Sequence, residues 1–260
     1  MQAFDVPGAR IATEFSDEGG RPVVQLHGLT SSRSRDRVLG LDLGRGLSGT
    51  RLLRYDARGH GESTGRTEPD DYLWAALAED LLRLLDHWFP GERVHGVGPS
   101  MGTGTLLHAA VREPERFSGL TLLVPATAWA TRVAKADEYR RAAALIEGDG
   151  IGAFIATSAD AQDPPASAGA PPTLPAVSEA LLPSVLRGAA LSDLPALAEI
   201  AALTVPTTVL AWTDDPAHPL STAQTLVETL PDASLTVAQT PADLERWPSI
   251  LHDDVAQTPH

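Results

Sequence analysis

The sequence predicts an α/β fold, a mostly parallel doubly wound sheet with a helical cap, and three observations carry that reading. Short apolar runs ending in glycine turns alternate with helix-like stretches. The order β–α–β recurs, which requires crossover connections and therefore parallel strands. After Pro125 strand character stops for about eighty residues and then resumes, which marks an insertion into the sheet.

Taken in order, "ARIATEF" (9–15), "RPVVQLHG" (21–28) and "TRLLRYDARGHG" (50–61) read as strands, the last two running into glycine turns. The stretch "DDYLWAALAEDLLRLLDHWF" (70–89) places Leu73, Leu77, Leu81, Leu84, Leu85 and Trp88 at helical spacing, with Asp70 and Asp71 at the start suiting the helix dipole. Strand "RVHGVG", helix "SMGTGTLLHAAVRE" and strand "LTLLVP" follow. The insertion holds helix-like "WATRVAKADEYRRAAALIE", "IGAFIATS", "VSEALLPSVLRGAA" and "LPALAEIAAL" around a Pro/Ala stretch at 161–176, whose five prolines predict extended chain. Strand "TTVLAW", helix "PLSTAQTLVETL", strand "SLTVA" and helix "PADLERWPSILHDDV" complete the alternation. The predicted organisation is a core of residues 1–124 and 204–260 with a helical cap at 125–203.

Composition narrows the function classes. At 260 residues and 27.4 kDa the chain suits one core. No window approaches the roughly 18 unbroken apolar residues of a membrane span. The N-terminus lacks a basic region followed by an apolar one, so a cytoplasmic protein is expected. With no cysteine, disulfides, thiolate metal sites and a thiol nucleophile are all excluded. A formal charge of −14 repels nucleic acid and anionic membranes while leaving a small neutral or apolar ligand free to bind. The Asp and His groupings "DDPAHP" and "LHDD" lack a second convergent pair at ligand spacing, and the "GTG" glycines belong to a helix rather than a dinucleotide fingerprint, so neither metal nor cofactor is expected.

The stretch "GVGPSMGTGT" (96–105) sets Ser100 between a strand and a helix, with Gly98 and Gly102 two residues either side. That is the layout of a nucleophile elbow, in which the serine backbone is strained and larger side chains at the glycines would strike neighbouring backbone.

Through "HGLT", "YDARGHGEST", "GPSMG" and "DDPAHP" the chain resembles the α/β-hydrolase superfamily over nearly its whole length, with an esterase-like, lactonase-like and in particular enol-lactonase-like layout. The resemblance implies a Ser, Asp, His triad in that chain order and a cap inserted after the strand that follows the elbow. It also implies an oxyanion hole from the backbone N–H groups that here belong to Leu29 and Met101. It places the acid at Asp215, four residues before Pro219. The competing use of "TDDP" is a polar turn that caps the next helix.

The resemblance also implies a histidine just after the last strand, and there the chain departs from the pattern. Residues Gln239 to Asp243 contain none, and threonine and glutamine have no group that takes a proton near neutrality. His27 and His60 fall where the family uses histidine to hold loops. His87, His95 and His108 read as core or surface residues, His252 lies about three turns along the last helix, and His260 is terminal. His218, three residues after Asp215, is the leading substitute base, with a turn-stabilising or substrate-touching role as its competitor.

Two functions remain open on sequence. One is a serine-dependent hydrolase of a small ester or lactone, with Ser100 as nucleophile, His218 as base and Asp215 as its partner. The other is a catalytically degenerate or non-hydrolytic protein of the same fold, binding a small ligand or running a lyase, cyclase or isomerase step. The apolar runs of the cap, with Trp129 and Trp212 near strand ends, predict a small apolar or neutral ester-like partner.

Overall fold

The computed structural model describes residues 2–158 and 163–257. Eight strands form one sheet: β1 (Gln2–Val6), β2 (Ala9–Asp17), β3 (Arg21–Gln25), β4 (Thr50–Tyr55), β5 (Val94–Pro99), β6 (Phe117–Leu123), β7 (Thr207–Trp212) and β8 (Ala233–Ala238). Their spatial order is β1-β2-β4-β3-β5-β6-β7-β8. β1 and β2 pair antiparallel, as do β2 and β4, and every other neighbouring pair is parallel. The helices are α1 (Arg33–Val38), α2 (Trp74–Trp88), α3 (Met101–Arg112), α4 (Arg132–Ser158), α5 (Leu182–Leu191), α6 (Leu197–Ile200), α7 (Leu220–Thr229), α8 (Pro241–Leu244) and α9 (Trp247–Gln257).

The two-residue period of the strands sorts their apolar side chains to opposite faces. Val24, Leu53, Leu122 and Val209 join the cluster that contains Leu77, Leu81 and Leu85 of α2, Leu106 of α3 and Leu226 of α7. Their immediate neighbours Val23, Leu52, Leu123 and Leu210 join Trp247, Leu251 and Val255 of α9. Both faces are therefore covered by helices, and the site-bearing loops leave the sheet at the C-terminal ends of β3, β5, β6 and β7.

Between β6 and β7 the described residues form helices and turns and no strand. α4 unites the two stretches read as separate helices, but Gly150 (φ 82, ψ 168) breaks the helical path where the sequence divides them. Glu179 covers the break by accepting from the Ile151 N–H at 2.9 Å. A third apolar cluster, with Ala143 and Ile146 of α4, Leu182, Val185 and Leu186 of α5, and Tyr72, fastens the insertion to the core.

Several boundaries differ from the sequence reading. β1 was not foreseen; its exposed positions leave little apolar signal. Asp70 and Asp71 lie in a 3-10 turn ahead of α2 rather than in its first turn, because Asp71 pairs with Arg66 and Arg58. The final helix is two, α8 and α9. The Pro-rich stretch is fastened down: Gly61 N–H donates to the Ala176 carbonyl (2.6 Å) and Ala176 N–H to the Thr30 carbonyl (2.7 Å). Within that stretch, residues 161 and 162 lie outside the described residues, as does His260.

Candidate active site

Ser100 stands between β5 and α3 with φ 52 and ψ −108, a left-handed backbone that a side-chain-bearing residue adopts only under constraint. The constraint is local. Ser100 N–H donates to the Leu123 carbonyl (2.9 Å) and the Thr103 hydroxyl to the Gly98 carbonyl (2.9 Å). A Cβ on Gly98 would lie 2.8 Å from Leu26 Cβ, and one on Gly102 would lie 3.0 Å from that atom and 3.1 Å from the His27 carbonyl oxygen. The glycines are there because β3 runs close behind the turn. Thr30, Val124 and Asp214 also have positive φ, so strained backbone gathers at the strand ends around Ser100.

Asp215 and His218 come from the loop after β7. His218 Nε2 lies 2.9 Å from Ser100 Oγ, and His218 Nδ1 lies 2.6 Å from Asp215 Oδ2. A carboxylate only accepts, so Nδ1 carries the proton and Nε2 presents its lone pair to the serine hydroxyl. Asp215 also accepts from the Trp212 indole N–H at 2.9 Å and from the Ala217 N–H at 2.8 Å. Burial works against its charge, yet the hydrogen bond and charge of His218, with the Ala217 and Trp212 donors, hold its pKa at about 2. Asp215 does not cap α7: that helix begins after Pro219 without a side-chain cap.

Trp212 is buried at the end of β7, and its ring stacks on Trp247 of α9 with centroids 6.1 Å apart. The sequence reading named Trp212 as a residue that could face the pocket; the bond of its indole to Asp215 was not foreseen. Trp129 instead opens the insertion, donating its indole N–H to the Pro195 carbonyl.

His27 holds the early loop. Ala57 N–H donates to its Nε2 (2.9 Å), which leaves the proton on Nδ1, and Nδ1–H donates to the Gly28 carbonyl (2.8 Å). His60 Nδ1 bonds the Arg58 carbonyl, and burial pushes its pKa down to about 3. His95 pairs with Thr121 in the core, His108 with the Asp193 carbonyl, and His87 and His252 are exposed. Where the family's histidine is expected, Gln239 N–H, Thr240 N–H and the Thr240 hydroxyl all bond Asp243 at the start of α8. The loop is occupied with capping a helix.

At the C-terminal edge of a doubly wound sheet, then, a serine on a strained strand-to-helix turn meets a histidine and an aspartate from the loop after β7. The family model described as alpha/beta hydrolase fold matches residues 21–169, and the chain belongs to that family. A 3-oxoadipate enol-lactonase of Acinetobacter baylyi is 29% identical over 198 residues, 72% of this chain and 70% of that protein. A hydrolase from Pseudomonas aeruginosa superimposes with a TM-score of 0.79 at 25% identity, covering 98% of this chain and 96% of that one. A thermophilic esterase from Thermogutta terrifontis gives 0.77 at 22% identity, with 97% of each chain covered.

Proposed function

We propose that this chain is a serine-dependent hydrolase of a small carboxylic ester or lactone, working through an acyl-enzyme on Ser100. The observation that carries the reading is the continuous relay from Ser100 Oγ through His218 to Asp215, at 2.9 and 2.6 Å. Its support over a binding or non-hydrolytic role is that a titratable ring edge already lies on the serine hydroxyl, although the sequence offers no histidine at the usual place.

In the first half-reaction Ser100 Oγ bonds the substrate carbonyl carbon while its proton passes to His218 Nε2, and Asp215 stabilises the imidazolium that results. Collapse of the tetrahedral intermediate breaks the bond to the alkoxy oxygen, which takes the proton from Nε2. Water, deprotonated by the same nitrogen, then releases the acid and restores Ser100.

The oxyanion is held by two backbone donors. Met101 N–H is the first of α3, where the helix provides no internal partner. Leu29 N–H shares a planar trans peptide with the Gly28 carbonyl, so the two groups point in opposite directions. Two donors, His27 Nδ1–H and Ser31 N–H (3.1 Å), take that carbonyl, which leaves Leu29 N–H facing away from them. Gly28 adjoins the serine: a Cβ placed on it would be 3.8 Å from Ser100 Cβ. Residues 125–203 act as the cap, and Leu29 packs against both the core and the cap cluster that holds Tyr139, Ile151 and Phe154. That surface suits an apolar or neutral acyl group.

Intact mass after exposure to a fluorophosphonate tests the reading. A single adduct is expected on the native chain and none on Ser100→Ala or His218→Ala. An adduct that survives in Ser100→Ala, or none on the folded native chain, rejects it.

A further inference from the structure

Asp36 is a titratable group that the chemistry above does not use. It lies in α1, 2% exposed, directly behind the loop that carries Leu29. Its Oδ1 accepts the Ser31 hydroxyl at 2.5 Å, while Oδ2 has no hydrogen-bond partner among the described residues. Ser31 is bonded at both ends, since its N–H donates to the Gly28 carbonyl at 3.1 Å. The carboxyl thus reaches the peptide of Leu29 through one residue.

The charged groups around Asp36 leave it without an ion pair among the described residues. Arg35, on its own helix, spends its guanidinium on the Thr30 carbonyl, the Thr30 hydroxyl and Thr173. Asp42, from the loop after α1, faces it with like charge and is itself paired with Arg37 of α1 and Arg54 of β4. Burial, with the charge of Asp42, pushes the Asp36 pKa up to about 7, against the pull of Ser31, Arg35 and the Gly28 N–H. A buried carboxylate held this way destabilises the fold wherever it is ionised, and a costly charge beside a reactive loop points to use rather than packing.

We propose that Asp36 is a positioning residue for the oxyanion hole, fully effective only as the carboxylate. As an anion it accepts the Ser31 hydroxyl and fixes the turn that aims Leu29 N–H. Once protonated on the unpartnered Oδ2 it offers Ser31 only a neutral acceptor, so the bond weakens and the turn loosens. Full activity then requires Asp36 to be ionised. This rests on the hydrolase reading.

The test is the pH profile of kcat/KM with a p-nitrophenyl ester for the native chain, Asp36→Asn and Ser31→Ala. For the native chain the acid limb is expected to carry, beyond a slope of one in log units, an extra drop of about tenfold as Asp36 protonates, and for Asp36→Asn to fall with slope one throughout. At the plateau Asp36→Asn should lower kcat by about tenfold with KM unchanged, less than the hundredfold or more that follows loss of an oxyanion donor itself. Ser31→Ala should likewise give slope one, which covers the case in which Asp36→Asn misfolds. A native acid limb of slope one that superimposes on that of Asp36→Asn overturns the proposal and leaves the hydrolase reading intact. No turnover and no fluorophosphonate adduct on the folded native chain overturns both.

Discussion

His218 and Asp215 share one turn: the His218 N–H donates to the Asp215 carbonyl at 3.1 Å, and its ring Nδ1 reaches the Asp215 carboxylate at 2.6 Å. The acid therefore orients a ring three residues away in the chain, and that ring spans to Ser100, 118 residues away. Asp215 curls back over its own loop because Ala217 N–H and the Trp212 indole hold both of its oxygens in place.

Loss of the ring should therefore be close to total. His218→Ala is expected to lower kcat by about a millionfold, as when the base is removed from a working triad. Adding Thr240→His, which puts a histidine where the family has it, should not rescue that variant. The Thr240 side chain accepts from Asp243 N–H at the start of α8, and is committed to that cap. Steady-state rates of the single and double variants check this, and recovery of more than about a hundredfold would contradict it.

Trp212→Phe separates packing from hydrogen bonding. Phenylalanine keeps an aromatic ring against Trp247 but removes the donor to Asp215 Oδ2. We expect kcat to fall by about tenfold, the scale of one hydrogen bond to a charged group, with the melting temperature changed much less than by Trp212→Ala.

Gly98→Ala probes the elbow. The added Cβ meets Leu26 Cβ at 2.8 Å, in the segment that leaves β3 immediately behind the serine. A loss of about 1–3 kcal/mol in urea unfolding is expected, together with slower fluorophosphonate labelling of Ser100, since β3 and the turn must move apart.

Asp36 and Asp215 drive stability in opposite directions with pH. The folded pKa of Asp36 lies above its ordinary 3.8, at about 7, so its contribution is full below 3.8 and is lost as pH rises through 7. That of Asp215 lies below 3.8, at about 2, so its contribution is present above 3.8 and is lost as pH falls through 2. Asp36→Asn should be more stable than the native chain at pH 8 and nearly equal to it at pH 4. Asp215→Asn should be less stable at pH 7, with the gap closing toward pH 2. Urea midpoints at these pH values decide both.

The fold was legible wherever burial imposes a period. Val23/Val24, Leu52/Leu53 and Leu122/Leu123 are apolar on both faces because helices cover both, which is why β3, β4 and β6 read as unbroken apolar runs. β1 was not legible, since one of its five residues is buried. Ser100, Gly98 and Gly102 announce themselves because a sharp turn against β3 admits few residue types. The nomination of His218 came from elimination, and no local pattern says that its ring turns toward Ser100. That depends on Thr127 N–H holding the Ala217 carbonyl at 3.1 Å, a contact between residues far apart in the chain, and on Trp212 beneath Asp215. Asp36 was not singled out, because burial of a carboxyl leaves no mark on a sequence.

The single turn that carries acid and base also changes the chain-entropy problem of assembling the site. A base on the loop after β8 has to be brought to Asp215 by closing a long loop that includes a helix and a strand, and closure entropy grows with the logarithm of loop length. Here that closure spans three residues. One long-range encounter, between the β7 loop and the elbow, completes the constellation, and the segment after Pro219 contributes to it only as packing behind Trp212.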